Sequence, residues 1–411
     1  MSEQRRTVGA LYRLVTRAEL RLRQGRLDEA IDLFDEVAAC GVRRGRGAAS
    51  DVPLDPNPYV ARAELGLCYC YLEQGLLHLA AHAAESALAA DPDQTDALCE
   101  LAYLRSLLGS HDSGFRLLQE GLERHPECAR IHKALGCFYL QMDDLDNAIA
   151  SCRRAVEFDP RADVAYMELA VALGRAGQFE EAIERMRDAI GISPRNPDYH
   201  FTLAALYRET RRTREAQAAL ERGLKYDPEN REMLEASAEV ALERGDADRA
   251  VRYAHRAIRQ SINSVPARDV LGAAYLQQGR LHEALRVADQ LVAMSPLDPT
   301  HHFKKAILFQ QQGMLAEALQ SYERVVRLAP ESELGDDARR ALELIDNHQL
   351  RQILLLASED TVFRTKLRRD AIAAVSERCF SLSDAGAMAL ESLDLDGLSA
   401  FNHESGPTYY H

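Results

Sequence analysis

The sequence predicts an all-α fold, a solenoid of stacked helix pairs closed by a helical cap towards its C-terminal end. Three observations lead there. Pro92, Pro126, Pro160, Pro194 and Pro228 lie 34 residues apart, Ile262 takes the next beat, and Pro296 and Pro330 resume the phase. Small residues keep the same period in two columns, at Cys68, Ala102, Gly136, Ala170, Ala204, Ala238, Gly272 and Ala306, and at Ala80, Gly114, Ala148, Ala182, Ala216, Ala250, Ala284 and Ala318. Composition completes the case, with 46% hydrophobic and 28% charged residues dominated by Ala, Leu, Glu and Arg, and no Trp. A fixed period of this size marks stacked supersecondary units, each too small to bury its apolar stripe alone.

Each unit reads as two amphipathic helices around a short polar turn such as Arg175-Ala176-Gly177-Gln178-Phe179, with Gly75, Gly109, Gly177, Gly245, Gly279 and Gly313 marking that turn. The closing Pro stops the second helix, and a preceding Asp, as in Asp91, Asp159 and Asp227, begins the next turn. The small-residue columns are where two helices must approach closely.

Leu135-Gly136-Cys137-Phe138-Tyr139, Leu271-Gly272-Ala273-Ala274-Tyr275 and Ala318-Leu319-Gln320-Ser321-Tyr322 resemble the tetratricopeptide-repeat family, whose pattern runs L-G-x-x-Y, A-x-x-x-F, then P. The resemblance covers about four-fifths of the chain and implies a right-handed superhelix. Eight contiguous units begin at 61, 95, 129, 163, 197, 231, 265 and 299 and fill 61–330. An N-terminal helix pair at 1–42 keeps the spacing through Gly25, Ala30 and Phe34, and the Gly/Arg/Pro-rich stretch at 43–60 reads as an inserted loop or hinge.

Beyond the last unit, 331–358 is expected to form a capping helix, with Ala338, Ala341, Leu342 and Ile345 on one stripe. Ile353-Leu354-Leu355-Leu356 is too apolar for a fully exposed helix end, and the following segment is its expected cover. Residues 359–401 read as a small helical unit, with Ser358 and Ser383 as expected N-caps, and 402–411 as a mobile tail. The small unit resembles helical leader-like segments of ribosomal peptide precursors and the small helical subunit of aromatic ring-opening dioxygenases.

A formal net charge of −14 argues against nucleic acid as the main partner. Near the start, Arg13, Arg17, Arg21, Arg23 and Arg26 are interleaved with Glu19, Asp28, Glu29 and Asp32, the pattern of a solvated helix face. Only five of fifty basic residues are Lys, in keeping with a GC-rich bacterial coding bias. The eight Cys include no C-x-x-C pair, and no apolar run approaches the ~20 residues that span a bilayer. Free thiols, a cytoplasmic location and no membrane association are therefore expected.

The sequence contains no H-E-x-x-H, P-loop, nucleophile-elbow or dinucleotide-binding motif, so no catalytic residue, cofactor or metal is expected. His132, His200 and His302 are separated by multiples of 34 and share a column with Leu98, Tyr166 and Leu234, which reads as packing. His78 and His82 lack two further ligands for zinc.

In the resembled family the first helix of each unit lines a concave groove. Carried onto this chain, that role falls to Arg130 and Lys133, to Asp198, Phe201, Arg208 and Glu209, and to Glu232, Glu235, Glu239 and Glu243. The last four place carboxylates on one helical stripe at spacings of 3, 4 and 4, either an acidic groove for a basic partner segment or an ordinary solvated face. The family's carboxylate clamp for chaperone tails is not matched, because Cys137 and Ile307 stand where Asn is expected. The expected function is a non-enzymatic scaffold or adaptor for a protein or peptide segment. The alternatives are an accessory subunit docking on a biosynthetic enzyme through its C-terminal helices, and a self-assembling structural protein.

Overall fold

A helix pair needs a sharp reversal, and in this chain a left-handed residue supplies it. At Gly177 the backbone reaches φ 75°, and the Gly177 and Gln178 N–H groups donate to Gly174 O and Leu173 O at 3.0 and 2.8 Å, satisfying carbonyls that the ending helix leaves open. Asp143 (φ 60°) makes the same reversal without glycine between the helices Ala129–Gln141 and Leu145–Phe158, and Arg211 (φ 58°) and Cys379 (φ 60°) adopt the same left-handed backbone.

The computed structural model describes residues 2–45 and 58–393. The central part of the loop expected at 43–60 and the tail expected at 402–411 lie outside them. Among the described residues there are 22 helices and no strand, so the fold is all-α as the periodicity predicts. The chain divides into two compact units, residues up to 211 and from 212 onward.

The first unit holds α1 Ser2–Arg23, α2 Leu27–Gly45, α3 Pro58–Glu73, α4 Leu77–Ala90, α5 Thr95–Leu107, α6 His111–Arg124, α7 Ala129–Gln141, α8 Leu145–Phe158, α9 Asp163–Arg175, α10 Phe179–Ile192 and α11 Pro197–Glu209. Consecutive helices pack as antiparallel pairs, and the small columns lie in those seams. Ala102, Ala148, Ala170 and Ala182 are fully buried. After α4 and α8 an Asp before the Pro turns the chain. Asp91 Oδ1 accepts from Asp93 N–H at 3.1 Å, and Asp159 Oδ1 from Arg161 N–H at 3.0 Å.

The second unit holds α12 Thr213–Tyr226, α13 Arg231–Glu243, α14 Ala247–Gln260, α15 Val265–Gln277, α16 Leu281–Met294, α17 Pro299–Gln311, α18 Leu315–Leu328, α19 Glu333–Glu359, α20 Thr361–Arg369, α21 Ala371–Glu377 and α22 Asp384–Glu391. Helix α19 begins one period after α17, and its Ala338 and Ile345 pack on Phe309, Leu319 and Tyr322 of the preceding pair. Asn347 occupies the position that Gly313 holds one period earlier, so nothing reverses the chain there and α19 runs on for 27 residues. Its far end buries Ile353 and Ala357 against Phe363, Leu367, Val375 and Leu390.

One expected cap is corrected. Ser358 lies inside α19 and donates to Leu355 O, whereas Asp360 caps α20 by accepting from the N–H groups of Val362 and Phe363, both at 2.9 Å. A carboxylate at a helix N-terminus is a stronger acceptor than a hydroxyl and also meets the helix dipole. Ser383 does cap α22, accepting from Gly386 N–H at 3.1 Å.

Candidate functional site

The histidine column acts as a structural staple. Nε2 of His132, His200 and His302 lies 2.8, 3.0 and 2.9 Å from the carbonyl oxygen of Pro126, Pro194 and Pro296 respectively, tying each first helix to the turn before it. Arg268 fills the same column and donates from Nη1 to Ser264 O at 3.0 Å. Among the described residues no group of three or more His, Cys, Asp or Glu is arranged to hold a metal ion. No helix there is long and apolar enough to cross a membrane.

The first helices of the first unit form the walls of a trough made of three adjoining depressions. One of about 520 Å³ lies among Glu19, Arg62, Tyr69, Asp96 and Arg130. A central one of about 610 Å³ is lined by Asp96, Glu100, Tyr103, Arg130, Lys133 and Glu168, with Cys99, Cys137 and Arg175 completing it. A third of about 310 Å³ is bounded by Val171, Arg175, Thr202, Ala205 and Glu209. Asp96 and Arg130 belong to the first two, and Val171 and Arg175 to the last two, so the depressions run into one another.

The central depression follows from the sequence columns. Glu100 and Glu168 occupy the same position two repeats apart, and Ala134 between them leaves the floor open. Lys133 stands beside that gap, while Arg130 pairs with Asp96 and Arg175 holds Asp143 and Leu140 O, each at 2.6 Å. Burial raises the Glu100 carboxyl above the ordinary glutamate range, against the opposing field of Lys133 and a hydrogen bond from Tyr69. Burial raises Glu168 as well, against a hydrogen bond from Cys137 and the same lysine. The Cys99 and Cys137 thiols are pushed up to about 12 by burial, which makes both poor nucleophiles.

These shifts have a definite consequence for stability. With both carboxyls raised, the native state holds protons that the unfolded chain releases. Their contribution is fully present below the ordinary value of 4.5 and is lost as pH rises through the folded-state values. Glu100→Gln and Glu168→Gln, which mimic the protonated form, are therefore expected to raise Tm at about pH 7, with the gain shrinking towards about pH 4. A lower Tm at neutral pH for both variants would contradict the account.

The residues singled out by sequence are distributed as follows. Arg130 and Lys133 line the central depression and Glu209 the third, whereas Asp198 is exposed and Phe201 and Arg208 are half-buried on the same helix, α11. Glu232, Glu235, Glu239 and Glu243 lie on α13 in the second unit. There Glu235 is only 15% exposed and accepts from Ser264 Oγ at 2.7 Å, bonding α13 to the residue that caps α15. Glu232 and Glu243 are exposed and Glu239 is half-buried. Sequence reasoning missed Glu100, Tyr103 and Glu168. The family positions do not include the column of the two glutamates, and the available signal was two Glu flanking an Ala at successive 34-residue steps.

The family described as cilia and flagella-associated protein 70 C-terminal domain matches residues 93–296, and the tetratricopeptide-repeat family matches residues 270–333. The BBSome complex member BBS4 of Bos taurus is 28% identical over 160 residues, covering 39% of this chain and 31% of that protein, so the chain spans about a third of the curated relative's length. Among solved structures, the APC/C hetero-tetramer Cut9-Hcn1 is 16% identical over 80% of this chain and 75% of that one, with a TM-score of 0.46. A tetratricopeptide-repeat protein from Parabacteroides merdae is 18% identical over 65% of this chain and 99% of that one, with a TM-score of 0.45.

Proposed function

We propose that this chain, which belongs to the tetratricopeptide-repeat family, is a protein-interaction scaffold that seats a segment of its partner along the first-helix trough. The observation that carries this reading is the continuity of the three depressions in the first unit, which share lining residues across successive first helices. Neighbouring helices stand roughly 8–10 Å apart, so an extended segment advances about three residues per repeat. The trough therefore suits a peptide stretch better than a compact small molecule. A photo-crosslinking side chain at Tyr103, in the trough, should capture the partner, and one at exposed Arg116 on α6 should not. Equal capture from both positions would move the partner out of the trough.

For the second unit we propose a basic stretch of the partner beside α13. The carboxylates of Glu232, Glu239 and Glu243 support it, since charge at a rim chiefly steers encounter and is screened over roughly 8 Å at physiological salt. Glu235 is set aside because its bond to Ser264 is structural. Reversing Glu239 and Glu243 to Lys is expected to slow association severalfold and to flatten its dependence on salt. Identical salt slopes for wild type and variant would leave α13 a solvated face.

A further inference from the structure

The second unit contains a cavity of about 190 Å³ between α15, α16 and α17, lined by Gly272, Leu276, Val287, Ala288, Leu291 and Leu308. Its wall is apolar, and at its mouth Lys304 Nζ donates to Asp269 Oδ1 at 2.6 Å, so the two rim charges satisfy each other.

Two substitutions within the repeat columns create the space. The column of Ala288 holds Leu118, Met186, Leu220 and Tyr322 in other units, all of them fully buried side chains that plug the gap between helices. Ala84, Cys152 and Ala254 are its other small members. Where the column is small at Cys152, the facing glycine closes the gap, since a Cβ on Gly136 would lie 2.3 Å from Cys152 Sγ. Gly272 faces α16 in the position that Gly136 holds, yet a Cβ there would meet nothing nearer than Val287 Cγ1 at 3.5 Å. Close packing does not require this glycine. It and Ala288 keep a void that the neighbouring helices have not collapsed to fill.

We infer that this cavity is an anchor pocket for one phenylalanine- or leucine-sized side chain on an otherwise uncharged stretch of the partner segment. Its volume fits a single ring or branched aliphatic group; an apolar void of about 150 Å³ is enough to hold benzene. Asp269 and Lys304 at its mouth come from the same first-helix face as the trough residues of other repeats. Their mutual ion pair offers no net charge, which disfavours a charged anchor, and burial of an apolar group there is worth more than on an open surface. The inference rests on reading the chain as a segment-binding scaffold and adds what that segment must carry.

The test uses the full-length chain with two probes. Benzene is titrated against methyl-labelled protein, and saturable shifts are expected at the methyl groups of Leu276, Val287, Leu291 and Leu308. They should be lost in Ala288→Met, which restores the plug of other repeats without lowering Tm, and weakened in Gly272→Ala, for which there is room. Twelve-residue peptides are then selected from a random library on wild type, and are expected to share one Phe or Leu and to bind Ala288→Met about tenfold more weakly. Absence of benzene shifts overturns the pocket. So do selected peptides that bind wild type and Ala288→Met equally, and in that case the scaffold reading stands. Benzene entry with no peptide selected counts against both.

Discussion

Replacing Gly114 with alanine is expected to destabilise the first unit by about 2 kcal/mol, although alanine is the residue that every other repeat carries in this column. Helix propensity alone predicts the opposite, a gain of up to ~1 kcal/mol for removing a mid-helix glycine from α6. Geometry decides the sign. A Cβ on Gly114 would lie 2.5 Å from the backbone oxygen of Ala102 and 2.9 Å from Phe138 Cζ. A backbone carbonyl in α5 cannot swing aside, and Phe138 is fixed by His111 and Phe115, with ring centroids 5.1 and 6.3 Å away. Relief therefore requires α5 and α6 to separate, which opens the seam that Leu98, Leu118 and Ile131 fill. Because stability in a repeat array is a sum over nearest neighbours, hydrogen exchange should quicken in α5 to α7 and stay unchanged in the second unit. Urea unfolding that shows Gly114→Ala equal to or above wild type would refute the close approach.

The same contrast shows what could be read in advance. A 34-residue period fixes the helix pairs because proline, glycine and small residues each answer a local steric demand that recurs at every turn and seam. Where another residue meets that demand, composition is silent: Asp143 and Arg211 adopt the left-handed turn that glycine takes elsewhere. The groove was legible only in part. Arg130 and Lys133 follow from their positions on the first helix, but the openness of the floor depends on Ala134 lying between two glutamates two repeats apart. The acidic stripe on α13 is regular in sequence, yet Glu235 accepts from the Ser264 hydroxyl that caps α15, a bond that the spacing of the carboxylates does not reveal. Likewise the long α19 reflects a missing reversal at Asn347, an absence that a periodic reading passes over.

The contact that holds the C-terminal helices is of this unreadable kind, and Asp346→Ala is expected to release them. Asp346 is only 6% exposed on α19, where Oδ1 accepts from Ser383 N–H at 2.8 Å and Oδ2 from the Ser383 hydroxyl. Ser383 Oγ in turn accepts from Gly386 N–H, and Glu323 Oε1 accepts from Asp384 N–H at 3.0 Å, so the Asp346 carboxylate organises the start of α22 together with that of Glu323. Gly386 must be glycine for this to occur, since a Cβ there would stand 2.4 Å from Asp346 Cγ. Truncation to alanine strands two buried donors, and hydrogen bonds to a charged group are worth about 1.5–3 kcal/mol each, less whatever water recovers. A local loss of roughly 3 kcal/mol, about a hundredfold in the opening equilibrium, is expected for α20 to α22. Ser383→Ala should lose less, because its N–H keeps the carboxylate and only the hydroxyl bonds and the cap, about 1 kcal/mol, disappear. Limited proteolysis within 360–393 reads the opening directly, with cleavage in the order Asp346→Ala, Ser383→Ala, wild type. If the capping contact is only incidental to packing of Ile353 on Phe363 and Leu390, all three proteins will be cut at the same rate, and the carboxylate has no role in docking these helices.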